Sequence, residues 1–78
     1  DRIAMGSYQA LAEHGLSVPH DVAVISFDGS DLASWLRPRL TSVAIPYADL
    51  GAVAVELLLS GQAATRRLPM PLQAGESI

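Results

Sequence analysis

The sequence predicts an α/β fold in which a mostly parallel sheet is flanked by helices. Three observations lead there. The run 22–27 (Val-Ala-Val-Ile-Ser-Phe) is apolar on both faces, as a central strand of a parallel sheet needs to be when helices cover both its sides. Apolar residues recur at three/four spacing over 3–14 and again over 49–60, the period of a helix face. The elements alternate as helix, strand, short helix, strand, helix and edge strand, an order that favours parallel pairing through crossovers.

The first helix, residues 1–14, places Ile3, Ala4, Ser7, Tyr8, Leu11 and Ala12 on one face. Asp1 suits its N-cap. Gly15 supplies a left-handed residue after His14, with Leu16 as the apolar partner of that turn. Pro19 breaks the chain before the strand 22–27, which ends in the polar turn Asp28-Gly29-Ser30-Asp31. Ser30 or Asp31 is placed to cap a short helix through Leu32, Ala33, Trp35 and Leu36, and Arg37-Pro38 stops it.

The second strand, 40–45, is β-branched and bounded by prolines. After Pro46, Asp49 or a neighbour opens a helix in which Leu50, Val53, Ala54, Leu57 and Leu58 form one stripe, and Ser60-Gly61 ends it. Residues 62–67 read as a surface loop. Residues 68–72 read as an edge segment, since Pro69 and Pro71 lack the N–H that a ladder needs. The tail 73–78 carries no signal. An α/β unit normally opens on a strand, so a leading helix suggests a segment of a longer chain.

Composition excludes several function classes. Half of the 78 residues are apolar and 17% are charged, which is globular rather than disordered composition. There is no cysteine, and His14 and His20 stand alone, so neither a disulfide nor a structural metal is expected. Apolar runs such as Leu57-Leu58-Leu59 are far too short for a bilayer, and no basic-then-apolar leader opens the chain. Net charge is −3. The basic residues Arg2, Arg37, Arg39, Arg66 and Arg67 are scattered, without the stripe that a DNA-reading surface carries.

Ligands of open α/β sheets bind outside the carboxyl ends of the strands. Asp28 occupies that place, and Gly29 permits close backbone approach. A carboxylate there can accept hydrogen bonds from two hydroxyls of a sugar or nucleoside. It can equally cap the following turn, and position alone does not choose. Trp35, the sole tryptophan, either lines the same pocket or packs. Arg37 and Arg39 are surface charges or an anion cradle. Neither histidine has a Ser, Cys or acidic neighbour arranged as a triad requires, and the acidic pair that would hold magnesium beside a phosphoacceptor is missing. No enzyme activity and no cofactor are expected.

Three stretches carry a family likeness: Asp1-Arg2-Ile3-Ala4-Met5-Gly6 through Ala10-Leu11 to Gly15-Leu16-Ser17-Val18-Pro19-His20-Asp21-Val22; Val24-Ile25-Ser26-Phe27-Asp28-Gly29; and Pro38-Arg39-Leu40-Thr41-Ser42-Val43 followed by Leu50-Gly51 and Ala54-Val55-Glu56-Leu57-Leu58. In this order and spacing they resemble the C-terminal third of LacI/GalR-family regulators, over nearly the whole chain. The resemblance implies a periplasmic-binding-protein-like I fold of two α/β subdomains with an effector in the cleft between them. Residues 1–78 would be one segment of its effector-binding domain. Operator DNA would be bound only by an N-terminal helix-turn-helix absent from this segment.

By the same resemblance Asp28 matches the family aspartate that hydrogen-bonds the effector, a sugar or nucleoside, with Gly29 beside it. Asp1 matches an aspartate opening the helix after an effector-side loop. Family dimers imply an interface on the first helix through Ile3, Ala4, Ser7, Tyr8 and Leu11. Residues 42–46 would cross between subdomains, the helix 49–60 would pack on the other one, and residues 69–75 would return. The family often carries an arginine before the terminal Glu-Ser; here Gly75 stands there. A cytoplasmic location without membrane contact follows. A sugar-binding receptor of a transport system and a bare oligomerisation module are the alternatives.

Overall fold

Helix α1 (Arg2–Glu13) forms as its periodicity predicts, with Ala4 buried and Tyr8 and Leu11 half-buried on the face toward the rest of the chain. The computed structural model, which describes residues 1–78, ends this helix in a Schellman turn. Gly15 adopts φ +72°, its N–H reaches Ala12 O at 3.0 Å, and the Leu16 N–H reaches Leu11 O at 2.9 Å. Two of the residues expected at a subunit interface also serve this chain's own packing. Ala4 lies in this chain's own core, and the Tyr8 hydroxyl donates to Pro38 O at 2.9 Å. Ile3, by contrast, is 88% exposed.

Strand β1 (Ile25–Asp28) pairs in parallel with β2 (Thr41–Ala44), Ile25 opposite Thr41 and Asp28 opposite Ala44. Strand β3 (Leu72–Gln73) runs antiparallel to β2, giving the order β1-β2-β3 and a mixed sheet. The edge pairing starts just past Pro71, whose carbonyl accepts the Ala44 N–H at 2.8 Å. β1 is shorter than 22–27 because the Val24 N–H turns to Ser77 O, at 2.8 Å, instead of the ladder. Cover on both faces of β1 is not observed: Ile25 and Phe27 are exposed, while Ser26 and Asp28 on the opposite face are half-buried.

Between the strands lies α2 (Asp31–Trp35), with Ala33 packed against Ala4 and Leu40 in a small core that Tyr8, Val24 and Leu36 surround. Arg37 caps its C-terminal end, one Nη donating to Ser34 O and Leu36 O at 2.8 Å each. Helix α3 (Tyr47–Ser60) starts directly after Pro46, two residues before Asp49, and stops at Gly61 with φ +68°. None of its residues is buried, and Leu59 is 80% exposed. The molecule is accordingly elongated, 55 × 19 × 18 Å. Such a bare apolar helix needs a covering surface beyond these residues. No helix is long and apolar enough to cross a membrane.

The tail proves structural. Ser77, fully buried, accepts the Thr41 N–H at 2.7 Å and donates to Val24 O at 2.5 Å, so it bridges the starts of β1 and β2. Glu76 donates its N–H to Arg39 O at 2.7 Å and accepts from Arg39 Nε at 3.0 Å. That pairing holds the Glu76 carboxyl below the usual carboxylate range.

Candidate effector site at the carboxyl end of the first strand

The sheet delivers three things to one place: the end of β1, the first turn of α2, and the crossover after β2. Asp28 sits at the junction, half-buried, with φ +126°. A non-glycine residue in that region stores roughly 1–3 kcal/mol and persists only where its surroundings over-determine it. They do here. The Gly29 N–H donates to Ser42 Oγ at 2.9 Å, the Ser30 N–H to Asp1 Oδ2 at 2.8 Å, and the Ile45 N–H to Asp28 O at 3.2 Å.

Asp1 is the anchor of that arrangement, and this corrects its expected role as a helix cap. It stands at the N-cap position of α1, yet its carboxylate caps nothing. Its Oδ1 accepts from Ser26 Oγ at 2.5 Å and Ser42 Oγ at 2.8 Å, and its Oδ2 accepts from Ser30 Oγ at 2.6 Å as well as the Ser30 N–H. Four donors fill a carboxylate's hydrogen-bonding capacity, so little is left for an effector. Ser30 likewise holds the N-cap position of α2 without capping it, because its hydroxyl is turned to Asp1.

Gly29 is required on two grounds. Its φ is +69°, and a Cβ there would lie 2.8 Å from Ala44 Cα and 2.9 Å from Ala44 Cβ. Gly29→Ala is expected to lower stability by about 2–4 kcal/mol, the sum of the left-handed backbone cost and a displaced β2. A urea midpoint close to wild type would show that the turn relaxes freely.

An open depression of about 900 Å³ adjoins this turn, with Phe27, Asp28, Asp31, Met5 and Trp35 among its lining. Trp35 is 71% exposed and borders that space, outside this chain's own small core. Asp28 Oδ1 also accepts a short hydrogen bond from the Tyr47 hydroxyl at the first residue of α3. This bond to an anion, reinforced by the nearby charge, pushes the Tyr47 phenol above its ordinary value. Arg39 is paired with Glu76 and Arg37 with α2 carbonyls, so neither forms an anion cradle with the other. No three His, Asp or Glu side chains converge as metal ligands.

Sequence reasoning brought out Asp28, Gly29 and Trp35 but passed over Ser26, Ser42 and Tyr47. A signal existed for the serines. Ser26 interrupts an otherwise apolar run, and Ser26 and Ser42 are register partners in the parallel ladder. Two hydroxyls facing one another in a sheet call for a shared acceptor.

The family profile for a periplasmic binding protein-like domain matches residues 1–78. The chain belongs to that family. Among curated proteins it is 44% identical over 59 residues to the ribose operon repressor of Haemophilus influenzae, covering 76% of this chain and 18% of that protein. It thus spans less than a fifth of that relative's length. Among solved structures it is similar to a LacI-family regulator from Enterococcus faecalis with bound ribose, at 36% identity and TM-score 0.80, covering 99% of this chain and 31% of that one. It is also similar to the lac repressor dimer bound to operator and the anti-inducer ONPF, at 30% identity and TM-score 0.86, covering 99% of this chain and 29% of that one. The LacI/GalR resemblance read from the sequence is upheld, and with it the fold: these residues form part of a LacI-type effector-binding domain.

Proposed function

We propose that this chain is an effector-sensing part of a cytoplasmic LacI-type transcriptional regulator and that Asp28 accepts hydrogen bonds from the hydroxyls of a small sugar. The observation that carries the reading is Asp28 itself: a carboxylate at the carboxyl end of a parallel strand, held at φ +126° beside an open depression. Ribose in a similar regulator favours a sugar over a nucleoside. Gly29 lets the turn approach the ligand, and Trp35 offers a ring face for stacking. The activity is reversible binding rather than catalysis, as the transcriptional regulators among its relatives favour.

The protein would act as a homodimer that meets operator DNA through a separate helix-turn-helix, as the operator-bound dimer of a similar repressor suggests. Ile3, Ser7 and Leu11 remain candidates for the subunit contact, while Ala4 and Tyr8 face inward. The repressors among its relatives favour this reading over a transport receptor of the same fold.

In the full-length regulator, Asp28→Ala is expected to weaken sugar binding by about ten- to a hundredfold, the contribution of one or two charge-assisted hydrogen bonds. Calorimetry with ribose, galactose, lactose and adenosine measures it. Unchanged affinity in a folded variant would leave Asp28 as a turn residue only.

A further inference from the structure

We propose that Tyr47 is a positioning residue for the effector carboxylate, holding Asp28 from the first turn of α3 and so tying effector occupancy to the orientation of that helix. The inference rests on the reading of Asp28 as an effector ligand and goes beyond it.

The argument begins with how little joins α3 to the sheet. None of its residues is buried. Its Glu56 reaches only forward along the chain, to Arg66 at 3.6 Å, and the Tyr47 and Leu50 N–H groups donate locally to Ile45 O and Pro46 O. A single side-chain hydrogen bond crosses from this helix to the sheet, and it is Tyr47 Oη to Asp28 Oδ1. The crossover is tied to the same residue a second time, through the Ile45 N–H on Asp28 O at 3.2 Å. Side chain and main chain of Asp28 are thus both fastened to the segment that leads into α3.

A carboxylate oxygen has two lone pairs. The phenol takes one on Oδ1 and fixes the plane of the carboxyl group. The remaining lone pairs face the effector already oriented, so binding does not have to freeze a free rotamer. Donor hydroxyls from a sugar withdraw charge from the same carboxylate and weaken its hold on the phenol. A filled site and an empty one therefore differ in how firmly α3 is latched. Since α3 is otherwise unsupported by this sheet, that difference is transmitted to whatever packs on its apolar stripe.

The test uses the full-length regulator as wild type, Tyr47→Phe, Asp28→Ala and the double variant, with ribose, galactose, lactose and adenosine as probes and the tightest carried forward. Tyr47→Phe is expected to weaken that probe about three- to tenfold, the scale of one side chain left unordered. It should add no loss in the Asp28→Ala background. At saturating sugar, the sugar-induced change in operator affinity should shrink in Tyr47→Phe. Ultraviolet titration without ligand gives an independent readout. Asp28→Ala should lower the midpoint of one high-titrating phenol, while Tyr8, whose burial also pushes its phenol up, holds still.

Wild-type affinity in Tyr47→Phe, with Asp28→Ala weakened, overturns the positioning role and leaves Asp28 as the ligand. A Tyr47→Phe loss that persists without Asp28 assigns Tyr47 to direct sugar contact and also overturns it. An undiminished operator response overturns the coupling to α3. If Asp28→Ala binds normally, or no probe binds wild type, the effector reading beneath the proposal fails.

Discussion

Asp1→Ala is expected to lower stability by about 3–5 kcal/mol, a large part of what holds a domain together. The carboxylate receives Ser26 Oγ, Ser42 Oγ, Ser30 Oγ and the Ser30 N–H at 2.5–2.8 Å. Charge-assisted bonds contribute roughly 1.5–3 kcal/mol each but are not additive, and some of the released hydroxyls can rotate to other acceptors. Ser42 cannot turn to water, since it is fully buried. The loss should extend to function, because the Ser30 N–H bond is one of those keeping Asp28 in its strained backbone. Urea unfolding of the full-length protein measures the first effect and sugar calorimetry the second. Ser26→Ala, which removes one donor and leaves the acceptor engaged, should lose only about 1 kcal/mol. If Asp1→Ala were equally mild, water would be replacing the carboxylate as acceptor and the anchor role would fall.

Gly75→Ala should be comparably damaging, by about 3 kcal/mol or more, for a steric reason. A Cβ at Gly75 would stand 2.3 Å from Arg39 O and 2.7 Å from the Leu40 carbonyl carbon. Both are main-chain atoms of the segment entering β2, so the tail itself would have to move. With it would go the Gly75 N–H on Thr41 Oγ1 at 3.0 Å, the Glu76 N–H on Arg39 O, and the Ser77 bridge between β1 and β2. Gly51→Ala is the matched control. In this chain by itself its Cβ would meet nothing within 4 Å on a helix, so there that change should stabilise by about 0.5–1 kcal/mol. Equal melting temperatures for the two variants would refute the close approach.

The sequence by itself determined what depends on near neighbours along the chain. Helix α1 and its Gly15-Leu16 stop, the proline-bounded β2, and the Gly61 end of α3 each follow from residues within a turn of one another. The place of Asp28, just after an apolar strand and before a glycine, was legible for the same reason, and so was the resemblance that gave the family. Tertiary structure decided what depends on residues far apart. Asp1 looks like a helix cap because its local partners are the α1 amides, but it meets Ser26, Ser30 and Ser42, which lie 25 to 41 positions away. Four hydroxyl and amide donors converging there outcompete the single bond a cap would make. Tyr47 showed nothing in sequence because its partner Asp28 lies 19 residues back and is reached only once β1 and β2 pair in parallel. The tail 73–78 reads as featureless because its order comes from Arg39, Thr41 and Val24, and each of those bonds exists only after the sheet has formed.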